Sequence, residues 1–131
     1  MYGWLLDSPH KDKVGVERVL HHCAGWSWNA KEDGEPGEEI LSADWTTMDG
    51  LPSPGSLKHL LVIRPALLTD GDCKAEKEGK KGRDGNKTPY RVGEQELGGW
   101  TVSRKDVAHF VADAALNKWS EVEGKILSIA Y

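Results

Sequence analysis

The sequence has little of what marks several large classes of protein. Its two cysteines, Cys23 and Cys73, are too few for a disulfide framework and lack a zinc-ligand spacing. No apolar run approaches the roughly 20 residues of a membrane span, and the first residues lack the basic segment of a signal peptide. The 17 basic residues do not outnumber the 21 acidic ones, which argues against a nucleic-acid partner. We therefore expect a cytoplasmic protein with reduced thiols that binds neither membrane nor nucleic acid.

The size and composition indicate a globular protein. The chain has 131 residues, of which 38% are hydrophobic, and this length is typical of one domain over residues 1–131. Six tryptophans accompany a single phenylalanine. Tryptophans bury large areas, so we expect them to anchor the core and loops, with an aromatic surface for a sugar or flat ligand as the alternative.

Two segments carry helical signals. Ser8 and Pro9 predict a helix start and Gly25 its end, with an apolar stripe between them at helical spacing, made of Val16, Val19, Leu20 and Cys23. Ser103 and Asp106 form a capping box that predicts a second helix ending near Asn117. Its predicted buried stripe contains Val107, Phe110, Val111, Ala114 and Ala115.

Short extended segments separate these helices. The unbroken apolar run 60–63 is typical of a strand in a parallel sheet, and 125–131 is a second strand. Shorter pieces are predicted at 90–92 and 100–102. The stretch from Trp26 to His59 is predicted to be irregular and held by Trp26, Trp28 and Trp45, while 70–89 is a polar loop. The order of helices and strands indicates the α/β class.

Three motifs in the chain have spacings similar to those of known functional sites. Gly79, Gly82 and Gly85 have dinucleotide-fingerprint spacing, but neither a strand before them nor a helix after them supports that role, so a solvated loop is expected. The segment 25–29 is one residue short of a nucleophile elbow and follows a helix rather than a strand, so we read it as a turn. Glu17 and His21 have ligand spacing without further ligands, so no metal site is predicted.

Four segments together resemble a known family. They are Pro9–Lys13 with Glu17, Leu61–Gly71 with its Arg-Pro pair, Trp100–Ala108, and Lys125–Tyr131. In this order, and over about half of the chain, they are similar to the atypical short-chain dehydrogenases of the NmrA-like, NAD(P)-binding group. The resemblance implies the carboxy-terminal half of a Rossmann-like fold, with a few-stranded sheet, two main helices and long irregular loops.

The resemblance also implies site residues. Lys13 would be the lysine beside the nicotinamide ribose, and its alternative is a solvated pair with Glu17. The four residues of the strand-end segment would face the nicotinamide of NAD(P), namely Arg64, Pro65, Ala66 and Leu67. The Tyr-x-x-x-Lys pair of classical members and the glycine-rich phosphate-binding turn are both missing.

These observations lead to one expectation for function and one alternative. We expect an NAD(P)-dependent oxidoreductase-like protein that does not bind the cofactor fully by itself. The alternative is a non-catalytic binding or regulatory protein that recognises a small molecule or carbohydrate through its tryptophan-rich surface. The strand at 60–63 would have an open apolar edge, so we expect self-association or pairing with a complementary amino-terminal half.

Overall fold

The computed structural model describes residues 3–77 and 89–131. The glycine motif at 79–85 lies outside these residues. The chain forms two compact units, Met1–Lys58 and His59–Tyr131. The expectation of one domain over residues 1–131 stays a prediction.

The first unit is built on a long helix, α1, at Gly3–Ala24. The helix ends as predicted at Gly25, which has φ +71° and donates its N–H to the carbonyl of His22 at 3.1 Å. The predicted start at Ser8 is wrong, because α1 begins earlier and contains Pro9. A proline removes one hydrogen bond from the ladder, and here the rest of the helix continues through it.

The buried side of α1 differs from the predicted stripe. Cys23 is buried as expected, but Val16 is 54% exposed. Gly15 is buried instead, because Ile40 packs so close that a Cβ atom at position 15 would lie 2.5 Å from the Ile40 Cγ2 atom. Gly15 therefore allows α1 to pack closely against Ile40, which the spacing of apolar residues does not predict.

The segment after α1 is irregular, as predicted. It contains a single short helix, α2, at Ala30–Asp33 and one 3₁₀ turn at Trp45–Thr47. Its three tryptophans are half-buried. Trp26 and Trp28 meet the ring of His21 edge to face at centroid distances of 5.4 and 5.0 Å. The predicted role of these tryptophans in holding the segment is confirmed.

The second unit contains two small sheets. Its described residues, 59–77 and 89–131, form five strands: β1 Leu61–Pro65, β2 Leu67–Thr69, β3 Arg91–Gly93, β4 Thr101–Ser103 and β5 Lys125–Ala130. In the three-stranded sheet β5 lies between β1, to which it is parallel, and β3, to which it is antiparallel. Strands β2 and β4 form a parallel pair. The parallel pairing of the apolar run is confirmed, whereas β2 was not predicted.

The described part of the second unit also contains the helices α3 at Arg104–Asn117 and α4 at Trp119–Val122. Phe110 and Ala114 of α3 are buried, but Val111 and Ala115 are exposed, so that part of the predicted stripe is wrong. The buried cluster consists of Tyr90, Val102, Phe110, Ala114, Val122, Leu127 and Ile129. The α/β class with a few-stranded, partial Rossmann-like sheet is confirmed. Within the described ranges, no helix has the length and apolarity needed to cross a membrane.

Candidate functional site

The strand-end segment, Arg64–Leu67, connects the two sheets of the second unit. The N–H of Ala66 donates to the carbonyl of Ile129 at 3.0 Å, in the three-stranded sheet. The N–H of Leu67 donates to the carbonyl of Trp100 at 3.1 Å, in line with the two-stranded sheet. The segment is thus held on both sides by backbone hydrogen bonds and lies at the carboxyl end of β1.

The four predicted residues of this segment differ in exposure. Arg64, Pro65 and Leu67 are exposed, with Leu67 at 73%, and Ala66 is half-buried against the core. Trp100, whose carbonyl accepts the N–H of Leu67, is 89% exposed. Sequence reasoning did not single out Trp100 as a site residue, because nothing in its local pattern distinguishes an exposed tryptophan from a buried one.

The start of α3 is built around a buried carboxylate. Asp106 is 0% exposed and Ser103 only 1%. The Ser103 hydroxyl accepts the N–H of Asp106 at 3.0 Å, so the predicted N-cap is confirmed. The reciprocal bond of a capping box is not formed, because the N–H of Ser103 donates to Tyr131 Oη at 3.1 Å. The Asp106 carboxylate accepts hydrogen bonds from Tyr131 Oη (2.5 Å), Ser103 Oγ (3.1 Å), Cys73 Sγ (3.4 Å) and the N–H groups of Lys74 (3.2 Å) and Ala75 (3.0 Å).

These contacts set the protonation states in the cluster. Burial raises the pKa of Asp106, but the hydrogen bonds from Tyr131, Ala75 and Lys74 outweigh it, so the net pKa is lowered. Burial raises the pKa of Cys73, and burial together with the hydrogen bond to Asp106 raises that of Tyr131. At neutral pH the carboxylate is charged and both neighbours keep their protons. A protonated, buried thiol is a poor nucleophile, so the cluster fixes structure.

The cluster determines where three parts of the second unit meet. Asp106 joins the first turn of α3 to residues 73–75 and to the last residue, Tyr131. Near the start of α3, Arg104 pairs with Asp70 at 2.6 Å. Ser103 is the N-cap of α3 and Asp106 lies in its first turn, so the predicted start of this helix is confirmed.

Lys13 lies in α1, within the first unit, and its side chain is exposed. The role beside a nicotinamide ribose stays a prediction. Exposure leaves its ammonium group accessible to a ligand, as such a role requires.

The histidines of α1 pack against aromatic rings. His21 is 5% exposed, and its Nδ1 atom lies 2.8 Å from the carbonyl oxygen of Ser27. His22 meets Trp45 edge to face at 5.0 Å. In the part of the chain that the structure describes, no group of three or more His, Cys, Asp or Glu residues could hold a metal ion.

Comparison with known proteins gives a partial match. The chain is 32% identical over 133 residues to the protein named Reductase pytE of Aspergillus terreus, with all of the chain included. The chain spans 39% of the length of that relative. No family model matches, and no solved structure matches. The chain is thus similar to part of a reductase.

Proposed function

We propose that the chain forms the nicotinamide- and substrate-facing part of an NAD(P)-dependent reductase of the NmrA-like, atypical short-chain dehydrogenase kind. The observation that carries this proposal is the position of Arg64–Leu67 at the carboxyl end of a strand in a parallel pair. Open α/β sheets bind their ligands beyond the carboxyl ends of their strands. The similarity to a reductase over the whole chain supports the same assignment.

Exposed groups within each unit suit one part of such a ligand. The exposed side chain of Leu67 offers an apolar surface that would exclude water from one face of a nicotinamide ring. The ammonium group of Lys13 would donate hydrogen bonds to ribose hydroxyls. Reduced nicotinamide, when bound, supplies a hydride, and the residues of this chain orient it and shield it from solvent.

The pyrophosphate of the cofactor would be held by residues outside this set. Among the described residues β1 pairs with β5 alone, so one edge of β1 is open to another strand. We propose that a complementary amino-terminal part, or a second copy of the chain, pairs along this edge. A complementary amino-terminal part would bring the phosphate-binding turn that the four resembling segments do not contain, whereas a second copy of the chain would only close the open edge of β1.

The proposal predicts measurable effects on cofactor binding. Titration with NADPH and NADH, followed by quenching of tryptophan emission, should saturate below about 1 mM for one of the two. Replacing Leu67 by alanine should weaken this binding by about tenfold, since it removes apolar contact with the ring. Lys13→Ala should weaken it by a few-fold, because a solvent-exposed hydrogen bond contributes less.

Two variants serve as matched controls for these measurements. Leu116 is 82% exposed on α3 and Lys58 is exposed in the first unit, and neither belongs to the proposed site. Leu116→Ala and Lys58→Ala should bind as the unchanged protein does. Absence of saturable binding of either nucleotide, or equal affinity in the Leu67 and Leu116 variants, would contradict the proposed site.

The burial of the three tryptophans in segment 26–59 bears on the alternative of carbohydrate recognition. Trp26, Trp28 and Trp45 are half-buried against α1 and so do not form an open aromatic platform for a carbohydrate. One observation favours the alternative of a non-catalytic protein that binds a small molecule. It is a cavity in the first unit whose lining includes Arg18.

A further inference from the structure

The guanidinium of Arg18 lies over two indole rings. Its central carbon lies 5.4 Å from the ring centroid of Trp28 and 5.6 Å from that of Trp45. Trp28 is itself fixed, because its Nε1–H donates to the carbonyl of Gly34 at 3.2 Å. Among residues 3–77 and 89–131, Arg18 has no hydrogen-bond or ion-pair partner. Two cation–π contacts therefore position a guanidinium with five donors, and within the described residues those donors have no hydrogen-bond partner.

Arg18 lines a cavity of about 220 Å³ in the first unit. Part of the lining is apolar and comes from Pro36, Leu41 and Trp45. The remainder includes two carboxylates, those of Glu35 and Glu38. Neither glutamate has an ion-pair partner within the described parts of the chain. The lining thus combines one cation, two anions and an apolar wall.

The wall of this cavity is preformed by the local backbone. Gly37 has φ +83°, a conformation that glycine adopts without strain, and its carbonyl accepts the N–H groups of Ile40 and Leu41 at 3.1 and 3.0 Å. Ile40 packs on Gly15 of α1. Lys11 of α1 pairs with Glu39 at 3.2 Å. The turn is anchored to the helix at two points, so a ligand would meet a wall that is already in place.

We propose that this cavity binds a small zwitterion, an α-amino acid with a large apolar side chain. The Arg18 guanidinium suits a carboxylate, which it can bind through two parallel hydrogen bonds. Glu35 and Glu38 suit an ammonium group, and the wall of Pro36, Leu41 and Trp45 suits the side chain. The volume of about 220 Å³ is below that of pockets for drug-sized ligands.

The mixed charge of the lining argues against simpler ligands. A plain anion would meet Arg18 but also two carboxylates, and a plain cation would meet the guanidinium. Only a ligand with both charges finds a partner for each. This site is independent of the proposed reductase function, since it involves none of the residues at the strand-end segment.

A ligand series tests the proposal without changing the protein. Isothermal titration calorimetry of the full chain with L-leucine should give saturable binding in the millimolar range. L-leucine methyl ester lacks the carboxylate and N-acetyl-L-leucine lacks the ammonium group, so each should bind at least about tenfold more weakly. Equal binding of either blocked compound would overturn the proposal, as would absence of saturation by L-leucine up to about 10 mM.

A conservative variant tests the role of Arg18. Arg18→Lys keeps the positive charge near the two indoles. It loses the two parallel hydrogen bonds that a guanidinium can donate to the ligand carboxylate, so it should weaken L-leucine binding by about tenfold. Glu38→Gln should weaken it by several-fold. Arg104→Lys and Glu32→Gln change exposed residues that do not line the cavity and should leave it unchanged. Circular dichroism checks that each variant is folded. Unchanged affinity in folded Arg18→Lys would overturn the assignment.

Discussion

Replacing Asp106 by alanine is expected to lower the free energy of unfolding by about 3–5 kcal/mol. The physical reason is that the donors of Tyr131, Ser103, Lys74 and Ala75 would lose their acceptor in a site where Asp106 is 0% exposed. A buried donor without a partner costs its full desolvation, and here several are affected together. Urea unfolding followed by circular dichroism measures the change as a lower midpoint.

Asp106→Asn separates the charge from the shape of this side chain. The amide keeps one acceptor oxygen, so the loss should be smaller than with alanine. The pKa of Asp106 is lowered on folding, so its contribution is present above the unfolded value of about 3.9 and lost as pH falls through the folded pKa. The difference in stability between the unchanged protein and Asp106→Asn should therefore shrink below about pH 4. A difference that stayed constant with pH would contradict a charged Asp106.

Ile129→Ala should have a comparable effect, lowering the free energy of unfolding by about 2–5 kcal/mol. Ile129 is 0% exposed on β5, the middle strand, and belongs to the buried cluster. Removing three carbon atoms there leaves a cavity that the paired strands on both sides of β5 prevent from closing. The measurement is the urea midpoint at constant slope.

Ile126→Ala is the matched control for this change. It makes the same substitution on the same strand, at a half-buried position. We expect a loss of less than half that of Ile129→Ala, because the site is already in contact with solvent. Equal losses at the two positions would show that burial on β5 is not as described.

Local signals in the sequence predicted the elements that depend on neighbouring residues. The capping signal of Ser103 and Asp106 predicted the start of α3, because both residues lie within one helical turn. Gly25 gave the end of α1, since a positive φ is a property of a single residue. The apolar run at 60–63 indicated the parallel pairing of β1, because a strand of a parallel sheet is apolar on both faces.

Features that depend on distant residues were not predictable in this way. The burial of Gly15 depends on Ile40, and an apolar pattern assigns no weight to glycine. The sequence predicts Asp106 as a capping residue. Its role as the buried acceptor for Tyr131, which directly follows β5, depends on the fold. The contacts of Arg18 with Trp28 and Trp45 likewise join residues that are too far apart in the sequence for a local pattern to predict them.

The candidate site was predictable only in part. The resemblance named Arg64–Leu67, and the structure describes these residues as one backbone-anchored segment at a strand end. It gave no reason to name Trp100, whose exposure of 89% depends on the fold around it. The role of Lys13 depends on a ligand and stays a prediction.

The most direct test of the reductase assignment is a saturation-transfer NMR map of NADPH bound to the chain. If the chain supplies the nicotinamide-facing surface, saturation should reach the nicotinamide and its ribose protons more strongly than the adenine protons. Leu67→Ala should reduce the nicotinamide signals selectively. Stronger transfer to adenine than to nicotinamide, or no transfer to either ring, would contradict the account.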